Sequence, residues 1–326
     1  MDKILIIGGA GFLGFHLSKY LLKKRFRIDL LDDFSRGVKD VHLNKLINSK
    51  NINLISCDLT KSIPKKLSKN YKYIYQFAAI LGVQNVINNP SDVLTKNIQI
   101  QINSIKIAKK QNKLKKFIFS STSEVHIGSQ KKLKMKFPTP ENFPIVIDDL
   151  NHPRTSYSLS KIYCEAMCIH SNLNYIIIRP HNLYGERMGN AHVIPQLLKR
   201  ISQYKTSETL KIKSGTHKRC FCYIEDAVKQ IYKLTISPKA LMKIFNIGNN
   251  SEEIKISSLL SILIKICKKT SLKILYINEN DGSPKRRVPD LSHTKKLTNV
   301  KKFTKLSIGV KKVHNWYKSN NLLNDE

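Results

Sequence analysis

Residues 3–14, KILIIGGAGFLG, constrain the fold more than any other stretch of the chain. Ile4, Leu5, Ile6 and Ile7 form an unbroken apolar run, which suits a strand buried on both faces, and glycines at 8, 11 and 14 follow at once. A helix-length segment at 13–24 comes next. A strand that enters a helix through glycines opens a βαβ unit, and such units build a parallel sheet. The chain repeats the pattern: strand-like runs at 28–31, 52–56, 73–77, 117–121 and 175–179 alternate with helix-length segments such as 97–111. The sequence therefore predicts an α/β protein with a doubly wound parallel sheet covered on both faces. After Arg179 the regularity weakens. Pro180, Pro195, Pro238 and Pro284 punctuate shorter elements, as expected of a smaller C-terminal α/β domain that caps the carboxyl edge of the sheet.

Position gives the glycines their meaning. Between a strand and a helix they let the backbone come close to a diphosphate held at the positive end of the helix, as in a Rossmann-type dinucleotide site. Gly8, Gly11, Phe12, Leu13 and Gly14 are therefore candidate cofactor-binding residues. The second strand ends in LLDD, with Asp32 eighteen residues after Gly14, near the offset of about 20 at which an acid grips the adenosine ribose hydroxyls. Asp32 and Asp33 together repel a 2′-phosphate, so NAD is expected rather than NADP, although Arg36 just downstream is a residue type that accommodates that phosphate.

Composition enters as a set of exclusions. The chain has 326 residues, 41% of them hydrophobic, enough for one large domain or two that share a cleft. Its longest apolar runs, ILII at Ile4 and LLSILI at Leu259, fall well short of the roughly 20 residues of a membrane span. Asp2 and Lys3 lead straight into a strand rather than a signal peptide, so a cytoplasmic protein with no membrane partner is expected. Six cysteines, at 57, 164, 168, 220, 222 and 267, make neither a ligand set nor a disulfide framework; they read as reduced core thiols, and no metal is expected. The net charge of +34 points on its own to a phosphate-rich partner. Its lysines lie in small clusters, such as KLKK at Lys113 and KKLKMK at Lys131, without aromatic interleaving, so they read as solvated faces and nucleic acid is not expected as a partner.

A second constellation lies downstream. Residues 117–129, FIFSSTSEVHIGS, run a buried strand into Thr122 and then into the carboxylate of Glu124. Tyr157 and Lys161, in SYSLSK, are one helical turn apart and point the same way. An ammonium beside a phenol favours the phenolate, so Lys161 is expected to pull the Tyr157 pKa from about 10 towards neutrality, with Thr122 hydrogen-bonding the same substrate oxygen. Taken alone, a Tyr-x-x-x-Lys pair is an ordinary helix surface. Following a glycine turn and a hydroxyl-rich strand end, it becomes a candidate base and its partner.

In that context the chain resembles an extended short-chain dehydrogenase/reductase of the nucleotide-sugar epimerase, dehydratase and decarboxylase family. The resemblance covers nearly the whole chain: GGAGFLG, SCDLT around Asp58, QFAA at 76–79, SSTSEV, YSLSK, RPHNLYGERM, KRCFCYIEDAV, FNIGN and RRVPD occur in the family's order. It implies an NAD-binding Rossmann domain over residues 1–179, completed by about 217–249, and a nucleotide-sugar-binding domain over 180–326, mainly 180–216 and 250–326. It further implies that Thr122, Tyr157 and Lys161 are catalytic, that Asp58 and Leu59 contact adenine, that Ala78 and Ala79 line the cofactor path, and that Asn97 buttresses the site. Asn182, Arg219 and Arg286 or Arg287 would meet a nucleotide-diphosphate sugar, the guanidinium suiting a phosphate through bidentate bonds. A homodimer is implied through the helices near 97–111 and 156–171.

Glu124 is surplus to a simple 4-epimerase of this family, which needs only the hydroxyl, the tyrosine and the lysine. Enzymes that eliminate water or carbon dioxide beside a 4-keto group need a further catalytic acid or base for a proton at C5 or C6. Ser123-Glu124 resembles uronate decarboxylases and a GDP-mannose-type dehydratase, and RRVPD leans towards the decarboxylases; epimerases with a Glu at this position also exist, in which case Glu124 is a structural carboxylate of the turn. The expectation is an NAD-dependent nucleotide-sugar epimerase/dehydratase that transiently oxidises C4 of an NDP-hexose. A UDP-glucuronate decarboxylase-like enzyme is the alternative within the family, and a non-catalytic dinucleotide-binding regulatory protein the alternative outside it; intact Thr122, Tyr157 and Lys161 argue against the latter. One position departs from the family pattern. His126 stands where most relatives have tyrosine, and it reads as a plain histidine at the edge of a turn.

Overall fold

The computed structural model describes residues 1–190, 192–204, 209–213, 215–277 and 284–323. Its centre is a seven-stranded sheet built from β1 (Lys3–Ile7), β2 (Arg27–Asp32), β3 (Ile52–Ser56), β4 (Tyr71–Gln76), β5 (Lys116–Ser120), β6 (Tyr175–Pro180) and β7 (Lys243–Ile247). The order across the sheet is β7-β6-β5-β4-β1-β2-β3, and every neighbouring pair is parallel. The direction of winding reverses between β1 and β4, and in open α/β sheets a crevice forms at that point, outside the carboxyl ends of the strands. All six strand-like runs of the sequence lie within or overlap these strands. The FNIGN segment supplies the seventh.

The two faces of β1 explain the unbroken apolar run. Ile4 and Ile6 join one buried cluster while Leu5 and Ile7 join the other, each fully buried and worth about 2 kcal/mol of transfer free energy. On the first face lie α1 (Phe12–Leu22) and, later in the chain, the helix Ile224–Ile236, through Leu17, Leu21, Ala227 and Ile231. The second face is covered by α2 (Pro90–Lys109) and α3 (Thr155–Ile169), through Ile100, Ile107, Cys164 and Cys168. α2 begins seven residues before the expected 97. Pro90 stands in its first turn, where a missing N–H costs nothing, but the polar residues that follow hide the start from a search for apolar periodicity.

Glycine is required at two points of the first turn. Gly8 has φ +80°, and a Cβ there would lie 2.6 Å from the Ala78 nitrogen; a Cβ on Gly14 would lie 2.3 Å from the Gly8 carbonyl oxygen. The turn thus closes on itself and on the loop after β4.

Beyond β6 the described residues form three small sheets. Leu183–Tyr184 pairs with Cys222–Tyr223, Lys218–Cys220 lies between Glu253–Lys255 and Arg286–Arg287, and Thr209–Lys213 pairs with Lys273–Ile277. Helices Val193–Ser202, Ile256–Cys267 and Leu306–Ser319 pack their apolar faces into the same cluster that covers β1, so one core runs from the sheet into the cap. Residues 191, 205–208, 214, 278–283 and 324–326 of the expected sugar-binding part lie outside the described residues. Among the described residues no helix is long and apolar enough to cross a membrane.

Candidate functional site

A cavity of about 510 Å³ opens at the carboxyl ends of the strands. Its walls are the glycine turn, the loops after β2, β3, β4 and β5, the N-terminal turn of α3, the segment after β6, and Arg287 from the cap. The strand order therefore delivers nearly every candidate residue to one place.

At one end stands the glycine turn. α1 begins at Gly11 with no side-chain cap, which leaves its first backbone N–H groups without a side-chain acceptor. A Cβ on Gly11 would meet only the Gly8 carbonyl oxygen, at 3.3 Å, so the missing side chain leaves the backbone open to a close ligand. Asp32 is buried, and its carboxylate accepts from Ala10 N and Phe34 N, both at 2.9 Å. Burial pushes its pKa up, and the two N–H groups hold it back. Asp33 lies in the same wall, more exposed, and accepts from Ser35 N and Oγ. Asp58, Leu59, Ala78 and Ala79 also line the cavity. Asn97 stands behind the wall: its side chain accepts from Ile80 N at 2.7 Å and donates to Ile80 O and Ser160 Oγ, both at 3.1 Å, pinning the loop after β4 to α3. An uncapped helix end, a glycine that leaves room and a buried carboxylate at the ribose offset fit a dinucleotide. Asp32→Ala is expected to weaken NAD about tenfold and to ease NADP binding, as titration calorimetry with both would read; equal NAD affinity would contradict the assignment.

At the other end Thr122, Glu124, Arg154, Tyr157 and Arg287 face the same space. The strand β5 ends in the 3₁₀ turn Ser123–His126, whose cap is Thr122: its Oγ1 accepts from Glu124 N at 3.2 Å. The Thr122 hydroxyl also hydrogen-bonds Tyr157. Ser121 Oγ, buried in the same wall, has no partner among the described residues. Tyr157 corrects an expectation. Its pKa lies above that of a free phenol, not below it, because burial and the Glu124 charge outweigh the Thr122 bond and the charges of Arg36 and Arg287. Lys161 does not offset this. It is buried, its Nζ donates to Ser120 O at 2.8 Å and lies 4.9 Å from the Phe119 ring centroid, and desolvation lowers its pKa to about 8.

The four residues expected to meet the substrate separate. Asn182 lines the cavity and donates to Cys220 O at 3.1 Å. Arg287 lines it too, and its Nη2 donates to Glu124 Oε1 at 3.1 Å. Arg286, one residue earlier on the same strand, points the other way and forms a two-pronged pair with Glu253 at 2.7 and 2.8 Å. Arg219 lies outside the lining and donates to the carbonyls of Lys218 and Lys285. Two arginines that the sequence reading passes over do line the cavity. Arg154 Nη2 lies 3.5 Å from Glu124 Oε1, so Glu124 is held by two guanidiniums. Its position three residues before Tyr157 was the available signal. Arg187, inside the quoted YGERM, is the other.

His126 ends the turn, as expected, but is not a plain residue there. It is 1% exposed, and its Nε2 accepts from Arg179 Nη1 at 2.9 Å. Arg179, itself buried on β6, makes a two-pronged pair with Glu165 of α3 at 2.7 and 2.8 Å and donates to Glu141 O. Burial and the Arg179 charge drive the His126 pKa down to about 3, so the ring is neutral.

Comparison with known proteins identifies the family. The model of the NAD dependent epimerase/dehydratase family matches residues 4–248. The chain is 27% identical to the bifunctional polymyxin resistance protein ArnA of Wigglesworthia glossinidia brevipalpis, over 98% of this chain but only 52% of that longer protein. It is 28% identical to a UDP-N-acetyl-alpha-D-glucosaminuronate decarboxylase of Bacillus cytotoxicus, over 97% of this chain and 98% of that one. The crystal structure of UDP-glucuronic acid 4-epimerase from Bacillus cereus in complex with NAD shares 25% identity and a TM-score of 0.82, covering 98% of this chain and 99% of that one. The chain thus belongs to the NAD dependent epimerase/dehydratase family, as an extended short-chain dehydrogenase/reductase enzyme whose cofactor is NAD.

Proposed function

We propose that the enzyme oxidises C4 of a UDP-linked uronic acid and then releases the sugar carboxylate as carbon dioxide. The observation that carries this reading is Glu124 held between Arg154 and Arg287 beside Tyr157. Two guanidiniums on the wall of a partly buried cavity offer charge-assisted donors to a carboxylate, which suits an anionic sugar better than a neutral one. Similarity to a glucosaminuronate decarboxylase and to a glucuronic acid 4-epimerase supports the same substrate class.

Gly8, Gly11, Phe12, Leu13 and Gly14 would hold the cofactor diphosphate, with Asp32 and Asp33 at the ribose, Asp58 and Leu59 at adenine, and Ala78 and Ala79 along its path. When bound, NAD accepts the hydride and brings the positive charge of its nicotinamide ring. With its own proton first lost to solvent, a step that this ring charge favours and that burial and Glu124 oppose, the Tyr157 oxygen takes the C4 hydroxyl proton as the C4 hydrogen leaves with its electron pair, and Thr122 holds the same oxygen. The product has a ketone at C4 and a carboxylate on C5. The bond from C5 to the carboxylate carbon breaks, its electrons pass into the C4 carbonyl as an enolate, and carbon dioxide leaves. C5 then takes a proton from solvent, relayed by Glu124, and the hydride would return to C4 as Tyr157 gives its proton back to the C4 oxygen, so the net change is loss of carbon dioxide.

The same oxidation followed by turnover of the ketone and return of hydride to its other face would be 4-epimerisation, a second reading favoured by the whole-chain likeness to the Bacillus cereus epimerase. We place the sugar-binding role on the cap, through Asn182 and Arg287, and the enzyme in the cytoplasm as a homodimer. α2 and α3 pack together beside a surface that exposes Tyr163 and Ile169, which supports pairing there. Incubation with UDP-glucuronate, its N-acetylglucosamine counterpart and neutral UDP, GDP and dTDP sugars, read by mass spectrometry, tests the proposal. Loss of carbon dioxide from a uronate supports it, an unchanged mass with inverted C4 selects the epimerase, and turnover of neutral sugars alone overturns the uronate reading.

A further inference from the structure

Arg187 sits in the segment after β6 with φ 62°, a left-handed conformation unfavourable for any residue with a side chain. Its side chain is 6% exposed and reaches three acceptors across the cleft. Nη1 donates to Ala10 O in the glycine turn at 2.8 Å, Nη2 to Val38 O at 2.6 Å, and Nε to the Asp40 carboxylate at 2.7 Å. The guanidinium also lies 4.5 Å from the Phe15 ring centroid. Each partner is well anchored in its own right. Ala10 N–H is already bonded to Asp32, and Asp40 caps the helix Val41–Ile47 by accepting from Leu43 N at 2.7 Å. The residues flanking Arg187 belong to the cap: Glu186 accepts from Tyr223 OH at 2.7 and 2.8 Å, and Met188 O accepts from Tyr317 OH.

We propose that Arg187 is a strap that retains NAD. It ties the glycine turn and the loop after Asp32, the two segments assigned to the cofactor, to each other and to the cap, so that NAD leaves only when these contacts part. The inference rests on the cofactor assignment and not on the identity of the sugar. The planar guanidinium fork is what makes the strap: a lysine keeps the charge but cannot span three acceptors lying in different directions.

The test is the release rate of NADH, followed by loss of its fluorescence when the loaded protein is mixed with excess NAD in the absence of any sugar. Arg187→Lys is expected to release NADH at least about tenfold faster than wild type, and Asp40→Asn, which removes one anchor, about threefold faster. A rate in Arg187→Lys within twofold of wild type overturns the proposal, even if its thermal midpoint falls, because a role confined to stability would show that pattern. Should Arg187→Lys fail to fold, as judged by circular dichroism, an unchanged rate in Asp40→Asn overturns it instead. Because no sugar is present, failure of the uronate reading leaves the outcome untouched, whereas wild-type protein that binds no NADH would remove the cofactor assignment itself.

Discussion

Replacing Tyr157 with phenylalanine is expected to abolish the NADH absorbance that appears when enzyme, NAD and sugar are rapidly mixed, with a loss of roughly 10³-fold or more in the rate of the first step. The ring stays and only the phenolic oxygen goes, together with one hydrogen bond to Thr122, so fold and cofactor affinity should persist. The loss is larger than that of an ordinary hydrogen bond because the substitution removes the very oxygen that accepts the C4 proton. Lys161 is turned to Ser120 O and, with a pKa of about 8, is protonated at neutral pH. Hydride transfer at the wild-type rate in the variant would mean that the base lies elsewhere.

Glu124→Gln should separate the two halves of the reaction. The Glu124 charge raises the Tyr157 pKa, so its removal eases deprotonation of the phenol and leaves the oxidation at least as fast as in wild type. The second half loses its proton relay and should slow by roughly 10² to 10⁴. NADH and a 4-keto sugar would then build up, visible as an absorbance burst without turnover. If Glu124 serves only to brace Arg154 and Arg287, both halves slow together and no intermediate collects, because two guanidiniums that have lost the carboxylate they share would misplace the substrate as a whole.

The features that were legible in the sequence are those fixed by neighbours along the chain. The alternation of strands and helices, the glycine turn with Asp32, and the placing of Thr122 and Tyr157 in one cavity follow from local periodicity and short spacings. What escaped depends on partners far away in sequence. Arg286 and Arg287 are adjacent on one strand and so face opposite ways, but only Glu253 on one side and Glu124 on the other decide which of them enters the cavity. The pKa of Tyr157 was read from the spacing to Lys161, whereas burial, a property of the whole fold, sets its direction. His126 read as a plain turn-edge histidine because Arg179, 53 positions on, supplies its hydrogen bond.

The buried group formed by His126, Arg179, Glu165 and Glu141 has a wider meaning for how such a molecule diversifies. It joins the turn bearing Thr122 and Glu124 to β6 and α3, the helix that carries Tyr157. Reactive groups on loops ordinarily trade positional accuracy for freedom to vary. Here the reactive turn inherits the stiffness of the interior, while Asn182 and Arg287 come from segments outside that network. New substrates can be explored by rewriting the roof, with the floor on which the chemistry runs left in register.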